Sequence, residues 1–167
     1  MSKTIPLTKG YVTVVDDEDY DMLMQWKWQA RPTRSSGKYI RNKTDVYAAR
    51  TGKDKGRSYP ILLHRLIMGF PACQVDHKNG NTLDNQKTNL RLCTNSSNRA
   101  NSAKMSGRSS SYKGVTWDKN RSKWKTAIKV NGKMINAGRF DDEILAAKTY
   151  DELALKYFGE FAKTNFK

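Results

Sequence analysis

The sequence predicts an α+β protein assembled from small modules, and three observations predict it. Hydrophobic residues make up 37% of the 167 residues, which argues against one large core, yet four Trp, eight Tyr and five Phe can anchor several small ones. Towards the C-terminus, YKGVTW, KWKTAIKV and KMINAGRF carry apolar residues at alternate places and lead into a stretch with helical spacing. Near the N-terminus, the β-branched run YVTVV (11–15) is followed at once by the acid-rich DDEDYDML.

Each element follows from local chemistry. Residues 11–15 read as a strand, and Asp16 or Asp17 caps a short helix with acids in its first turn. Trp26 and Trp28, alternating with Lys27 and Gln29, read as a half-buried strand. Residues 31–45, with Pro32, Ser35, Ser36 and Gly37, read as a loop or hairpin turn; VYAAR (46–50) reads as a strand and TGKDKGRS as a turn. The apolar YPILLHRLIMGF (59–70) leads into a polar, Asn-rich segment. SAKMSGRSSS (102–111), with five Ser, reads as a basic linker. Beyond it, Asn131-Gly132 predicts a type I′ hairpin between the second and third runs. Asp141 or Asp142 caps a helix whose apolar positions fall at Ile144, Ala147, Tyr150, Ala154 and Phe158.

Charge bounds the partners. The formal charge is +15, and it is uneven: net −3 over residues 1–24, +13 over 25–108 and +5 over 109–167. Such a field favours polyanions, nucleic acid first. No stretch approaches the ~20 apolar residues that span a bilayer, and no apolar signal core follows Met1. The expectation is a soluble, cytoplasmic protein with no membrane association. Cys73 and Cys93 form no CxxC pair, and only His64 and His77 could join them, so a structural zinc site has no recognisable spacing. His64 sits in an apolar run and reads as structural first, a DNA or phosphate contact second and a metal ligand third.

The most informative segment runs from Val75 to Asn101. It sets Asp76, His77, Asn89 and Asn98 in a strongly basic surrounding. Asp76 offers a hard carboxylate oxygen, His77 a nitrogen that titrates near neutrality, and the two Asn neutral amide oxygens. That inventory suits holding one divalent ion against a phosphate and activating a water beside it. Asn79-Gly80-Asn81 supplies a turn, Asp84 caps or turns the chain, and Asn95 reads as the N-cap of a helix that carries Asn98.

This segment resembles the HNH nuclease motif, with the Asp-His, Asn and Asn elements in order. The resemblance implies a ββα-metal nuclease module with its core at about 59–101. It makes His77 the general base, Asp76 and Asn98 the metal ligands, and Asn89 the residue that fixes the loop and orients His77 by a hydrogen bond. The oxygen donors favour Mg²⁺, with Mn²⁺ or Ca²⁺ as alternatives. Arg91 and Arg99 are placed to clamp flanking phosphates. The implied products carry a 3′ hydroxyl and a 5′ phosphate.

The C-terminal part resembles the plant APETALA-two/ethylene-response-factor DNA-binding domain. The matching residues are Tyr112-Lys113-Gly114-Val115, Trp124, Ala127-Ile128, Gly138-Arg139-Phe140, Ala146-Ala147, Tyr150-Asp151, Ala154 and Asn165-Phe166. The resemblance implies a three-stranded antiparallel sheet backed by one helix, the sheet entering the major groove. Alternation puts Trp124, Thr126, Ile128 and Val130 on the core side, with Ile135 and Ala137 across the hairpin. Lys113, Thr116, Lys125, Lys129 and Asn136 are then expected to face the groove, and Lys119 and Arg121 to reach phosphate. Plant domains present several Arg and Trp there; Lys gives a point charge rather than a fork, so backbone contact should outweigh base choice.

The N-terminal third resembles the front part of phage HNH proteins that carry this tail. The whole sequence therefore resembles a phage-type HNH homing endonuclease: a nuclease part over 1–101, a linker over 102–111 and a DNA-binding domain over 112–167. It is expected to act on double-stranded DNA as a monomer, with no protein partner evident. A DNA-binding regulator that does not cut is the alternative, and an RNA-binding accessory protein is a third.

Overall fold

The structure is a computed structural model that describes residues 1–32, 46–103 and 109–166. Most of the basic loop expected at 31–45 and the middle of the expected linker, 104–108, lie outside the described residues. The chain divides into two compact units, Met1–Leu92 and Cys93–Lys167. The division falls ahead of the linker expected at 102–111. The helix over Asn95–Asn101 therefore groups with the C-terminal part, where its Ala100 carbonyl accepts from the Lys163 amide and from the Lys113 ammonium.

In the first unit, β1 (Ser2–Pro6) and β2 (Val12–Asp16) form an antiparallel pair. Helix α1 (Asp17–Met24) follows, with Asp17, Glu18 and Asp19 in its first turn, where the helix dipole favours negative charge. Asp16 stands at the N-cap without capping; its carboxylate accepts instead from the Lys87 amide at 2.7 Å. The strand expected at Trp26 and Trp28 starts later, as β3 (Gln29–Pro32). Trp28 is buried and its indole N–H donates to the Leu23 carbonyl at 2.9 Å. The indole shares that acceptor with the Trp26 amide, and Trp28 itself makes an isolated parallel bridge with Leu7 outside the named strands.

Strand β3 pairs with β4 (Val46–Asp54), which pairs with β5 (Arg57–Leu62), both antiparallel. Lys55 and Gly56, both at positive φ, make the two-residue turn between β4 and β5. The apolar run then enters the short helix α2 (Leu63–Ile67). Strands β6 (Gln74–His77) and β7 (Leu90–Cys93) form a two-stranded sheet around the Asn-rich loop. The core gathers Ile5, Leu7, Val15, Leu23, Trp28, Val46, Leu63 and Leu83.

The second unit opens with α3 (Asn95–Asn101). Its N-cap is Thr94 rather than the expected Asn95: Thr94 and Ser97 exchange side-chain and backbone bonds in a capping box. Strands β8 (Val115–Asp118), β9 (Lys123–Val130) and β10 (Lys133–Phe140) form an antiparallel sheet in the order β10-β9-β8. Asn131 (φ 47) and Gly132 (φ 84) make the expected I′ hairpin. Asp142 caps α4 (Glu143–Phe158) by accepting from the Leu145 amide. The helix buries Ala146, Ala147, Tyr150 and Ala154, whereas Ile144, expected on the same face, is exposed. Two small cores result, Val115 with Ala146 and Ala147, and Ile128 with Tyr150 and Ala154. No helix of the described residues is long and apolar enough to cross a membrane. The fold class is α+β, as expected.

Candidate functional site

Strand β6 carries Val75, Asp76 and His77 into the interior in succession, so the Asp-His pair stands on buried backbone. The His77 ring lies 5.0 Å from that of His64 and 6.2 Å from that of Tyr47, and Tyr47 lies 5.4 Å from His64. Strands β4 and β6 and helix α2 thus contribute one ring each to a cluster. Burial pushes the His77 pKa below the ordinary imidazole value, against the opposing pull of its Asn85 hydrogen bond and of Asp76 and Asp84. The ring is therefore neutral at pH 7, the form that can accept a proton. Burial, then His77 and Arg65, take His64 further down, to about 3. Burial, then Asp76, raise the Tyr47 phenol.

The Asn residues divide their work differently from expectation. The bond expected from Asn89 to His77 is made by Asn85, whose Oδ1 lies 3.0 Å from His77 Nε2. Asn85 is 1% exposed, and its Nδ2 donates to Thr13 Oγ1 at 2.7 Å. Thr13 in turn donates to the Leu83 carbonyl at 2.8 Å. The geometry arises because the loop folds back along β2: Val14 N donates to Leu83 O and Asn85 N to Val14 O, each at 2.8 Å. Asn89 closes the loop instead. Its Oδ1 accepts from the Asn79 amide at 3.1 Å and its Nδ2 donates to the Asp84 carbonyl at 2.8 Å.

Arg91 also departs from expectation. It does not stand as an exposed phosphate clamp but closes on Asp76, with Nε at 3.1 Å and Nη2 at 3.0 Å from Oδ2. The pair is buried, each side chain 9% exposed. Asn98 lies in the second unit, on α3, its amide bonded to the Thr94 carbonyl. Among the described residues no three or more His, Cys, Asp or Glu group so as to hold a metal ion.

The second unit carries the residues expected to read DNA. On β9, Thr126 and Ile128 are buried while Lys129 is exposed, as alternation requires. Met134 and Asn136 are exposed on β10, Thr116 on β8, and Lys119 and Arg121 in the turn between β8 and β9; Lys125 is half-buried. Arg121 stands 3.7 Å from Asp118, which Arg139 also engages at 2.7 Å. Arg99, exposed on α3, shares the lining of a cavity of about 820 Å³ with Lys129, Asn131 and Met134. Lys113 departs: its ammonium donates to the carbonyls of Ala100 and Ser102, the latter at 2.8 Å. Burial, and Lys163 nearby, lower its pKa to about 8 against the pull of Asp151.

Sequence reasoning missed Asn85, Thr13 and Tyr47. For Thr13 a signal existed, since alternation along YVTVV turns Thr13 inward with Val15 and a buried hydroxyl needs partners. Nothing local distinguishes Asn85 from its Asn neighbours.

A family model described as HNH endonuclease matches residues 69–100. APETALA2-like protein 2 of Oryza sativa subsp. japonica is 41% identical over 59 residues, 35% of this chain and 14% of that protein. The AP2-like ethylene-responsive transcription factor At1g79700 of Arabidopsis thaliana is 38% identical over 71 residues, 35% of this chain and 23% of its own length. The ethylene-responsive transcription factor WRI1 of Arabidopsis thaliana is 41% identical over 71 residues, covering 16% of that protein. The chain thus spans under a quarter of these relatives. No solved structure matches it. The chain therefore joins, in one sequence, an HNH endonuclease match and similarity to APETALA2-type transcription factors.

Proposed function

We propose that this protein is a metal-dependent HNH endonuclease of the homing type that nicks or cuts double-stranded DNA, with His77 as general base. The observation that carries the reading is the setting of His77: buried, bonded to Asn85 and next to Asp76, inside the segment that matches HNH endonucleases. In the proposed reaction His77 takes the proton of an attacking water. Asn89 keeps the loop closed beneath it. The functional segments are 1–101 for cutting and 112–167 for holding DNA, with the paired β6 and β7 followed in the chain by α3 as the ββα element.

The donor chemistry fits a hard divalent ion. Asp76 would offer such an ion a carboxylate oxygen and Asn98 an amide oxygen. Bound there, Mg²⁺ (or Mn²⁺ or Ca²⁺) would offset charge that builds on the phosphate and the leaving 3′ oxygen. The net +15 charge and the exposed Lys129, Lys119 and Arg99 supply contacts to the phosphate backbone. The protein is taken to act as a monomer in the cytoplasm of a bacterial host.

A second reading, a DNA-binding regulator that does not cut, is favoured by one observation: the similar plant proteins are transcription factors. The deciding experiment is strand-specific cleavage of a supercoiled plasmid library with Mg²⁺ or Mn²⁺ and with EDTA. Metal-dependent nicks that vanish in His77→Ala and Asp76→Ala, with DNA binding kept, are expected. Binding without cutting under every metal would leave the regulator.

A further inference from the structure

We infer that Thr13 and Asn85 act as positioning residues that dictate which nitrogen of His77 carries the proton. The inference rests on the proposed nuclease reading for its catalytic meaning, but its structural content stands apart from it.

The argument is a count of protons along three hydrogen bonds. The Leu83 carbonyl can only accept, so the single hydroxyl proton of Thr13 is committed to it. Thr13 Oγ1 can then only accept from Asn85, which forces the NH₂ end of that amide towards Thr13, at 2.7 Å. The amide oxygen is left facing His77 Nε2 at 3.0 Å, and it too can only accept. His77 must therefore donate from Nε2, which makes Nδ1 the nitrogen that holds the lone pair. Turning the amide over would set its oxygen against an oxygen whose proton is already spent. Asn85 and Thr13 are 1% and 0% exposed, so no water competes for these bonds.

The relay joins distant parts of the chain. Thr13 comes from β2 and Asn85 from the loop after β6, 72 residues apart in sequence. The N-terminal hairpin thereby acts on the proposed base through Asn85. A general base works only if its lone pair points at the water, so the wrong tautomer removes the base while the ring stays in place.

Nitrogen-15 NMR of the neutral imidazoles tests this on the full chain, which holds only two His, so a His64→Gln variant assigns the signals. Wild type should show His77 with its proton on Nε2. Thr13→Val frees the amide to turn and should lose that signature. Its kcat for cleavage should drop about 10- to 100-fold, the size typical of outer hydrogen-bond partners, with KM for DNA unchanged. Thr13→Ser keeps the hydroxyl and should keep both properties. A proton on Nδ1 in wild type overturns the relay whatever the variants do. So does Thr13→Val with wild-type tautomer and kcat. Wild type with the Nε2 proton but no cleavage sinks the nuclease reading and leaves the relay standing.

Discussion

Arg91 closes on Asp76 with two guanidinium nitrogens that meet one carboxylate oxygen, Nε at 3.1 Å and Nη2 at 3.0 Å from Oδ2. Charge and metal chemistry therefore meet on one side chain. Removing Arg91 takes the guanidinium away from a carboxylate that is 8% exposed, a loss of about 3–5 kcal/mol for a broken buried pair. Arg91→Ala should thus lower the urea midpoint of the first unit strongly. If Asp76 is also a metal ligand, Mg²⁺ should restore more stability to Arg91→Ala than to wild type, because the ion replaces the lost positive charge. Equal Mg²⁺ responses in the two proteins would count against Asp76 as a ligand.

The sequence made some of this legible and hid the rest for a physical reason. Asn131-Gly132, the alternation along β9 and the Asp142 cap are local rules, and each stands where the residues put it. The Asp-His pair was visible because its chemistry is written in adjacent residues. The Thr13–Asn85 bond spans 72 residues and was not. The partners of Arg91 and Lys113 were hidden because a cation in a basic chain reads as a ligand for phosphate. Only tertiary structure reveals that Arg91 meets Asp76 and that Lys113 meets the Ala100 and Ser102 carbonyls.

Acid should destabilise the first unit through its buried histidines. His64 has its pKa lowered to about 3 in the folded chain, against 6.5 for the ordinary side chain. Below pH 6.5 the unfolded chain binds a proton that the folded one refuses, so stability falls as pH drops from 6.5 towards 3 and is full above 6.5. His77 acts with the same sign, since its value is also lowered. Urea midpoints measured across this range should fall for wild type and flatten in His64→Leu. A variant with the same acid slope as wild type would show that His64 is not the source.

Two glycines with similar φ should respond differently to the same change. Gly132 (φ +84) has nothing within 4 Å of where a Cβ would stand, so Gly132→Ala bears only the left-handed penalty of about 1–2 kcal/mol. Gly114 (φ +77) packs directly under the Tyr150 ring, with which any Cβ would collide. Gly114→Ala should therefore cost about 1–3 kcal/mol more than Gly132→Ala, the cost of overpacking. Urea unfolding of the second unit would order the two, and equal losses would mean that Tyr150 moves aside freely.

The two lysines that the sequence sent to the same surface should separate under salt. Lys129 is exposed on the outer face of β9, where an ammonium meeting a phosphate releases one counterion. Lys129→Ala should weaken DNA binding about equally on every sequence and reduce the slope of log K against log salt by about 0.9. Lys113 spends its ammonium on Ala100 and Ser102, while its own amide donates to Asn165 Oδ1 at 2.6 Å. Lys113→Met keeps the stem and removes the donor, so two carbonyls lose a charged partner, a loss of about 1.5–3 kcal/mol. Its signature is a lower urea midpoint with an unchanged salt slope. If Lys113→Met instead lowers the slope as Lys129→Ala does, the Lys113 ammonium leaves the carbonyls for phosphate when DNA binds, and the free-state hydrogen bonds are a resting place rather than its working partners.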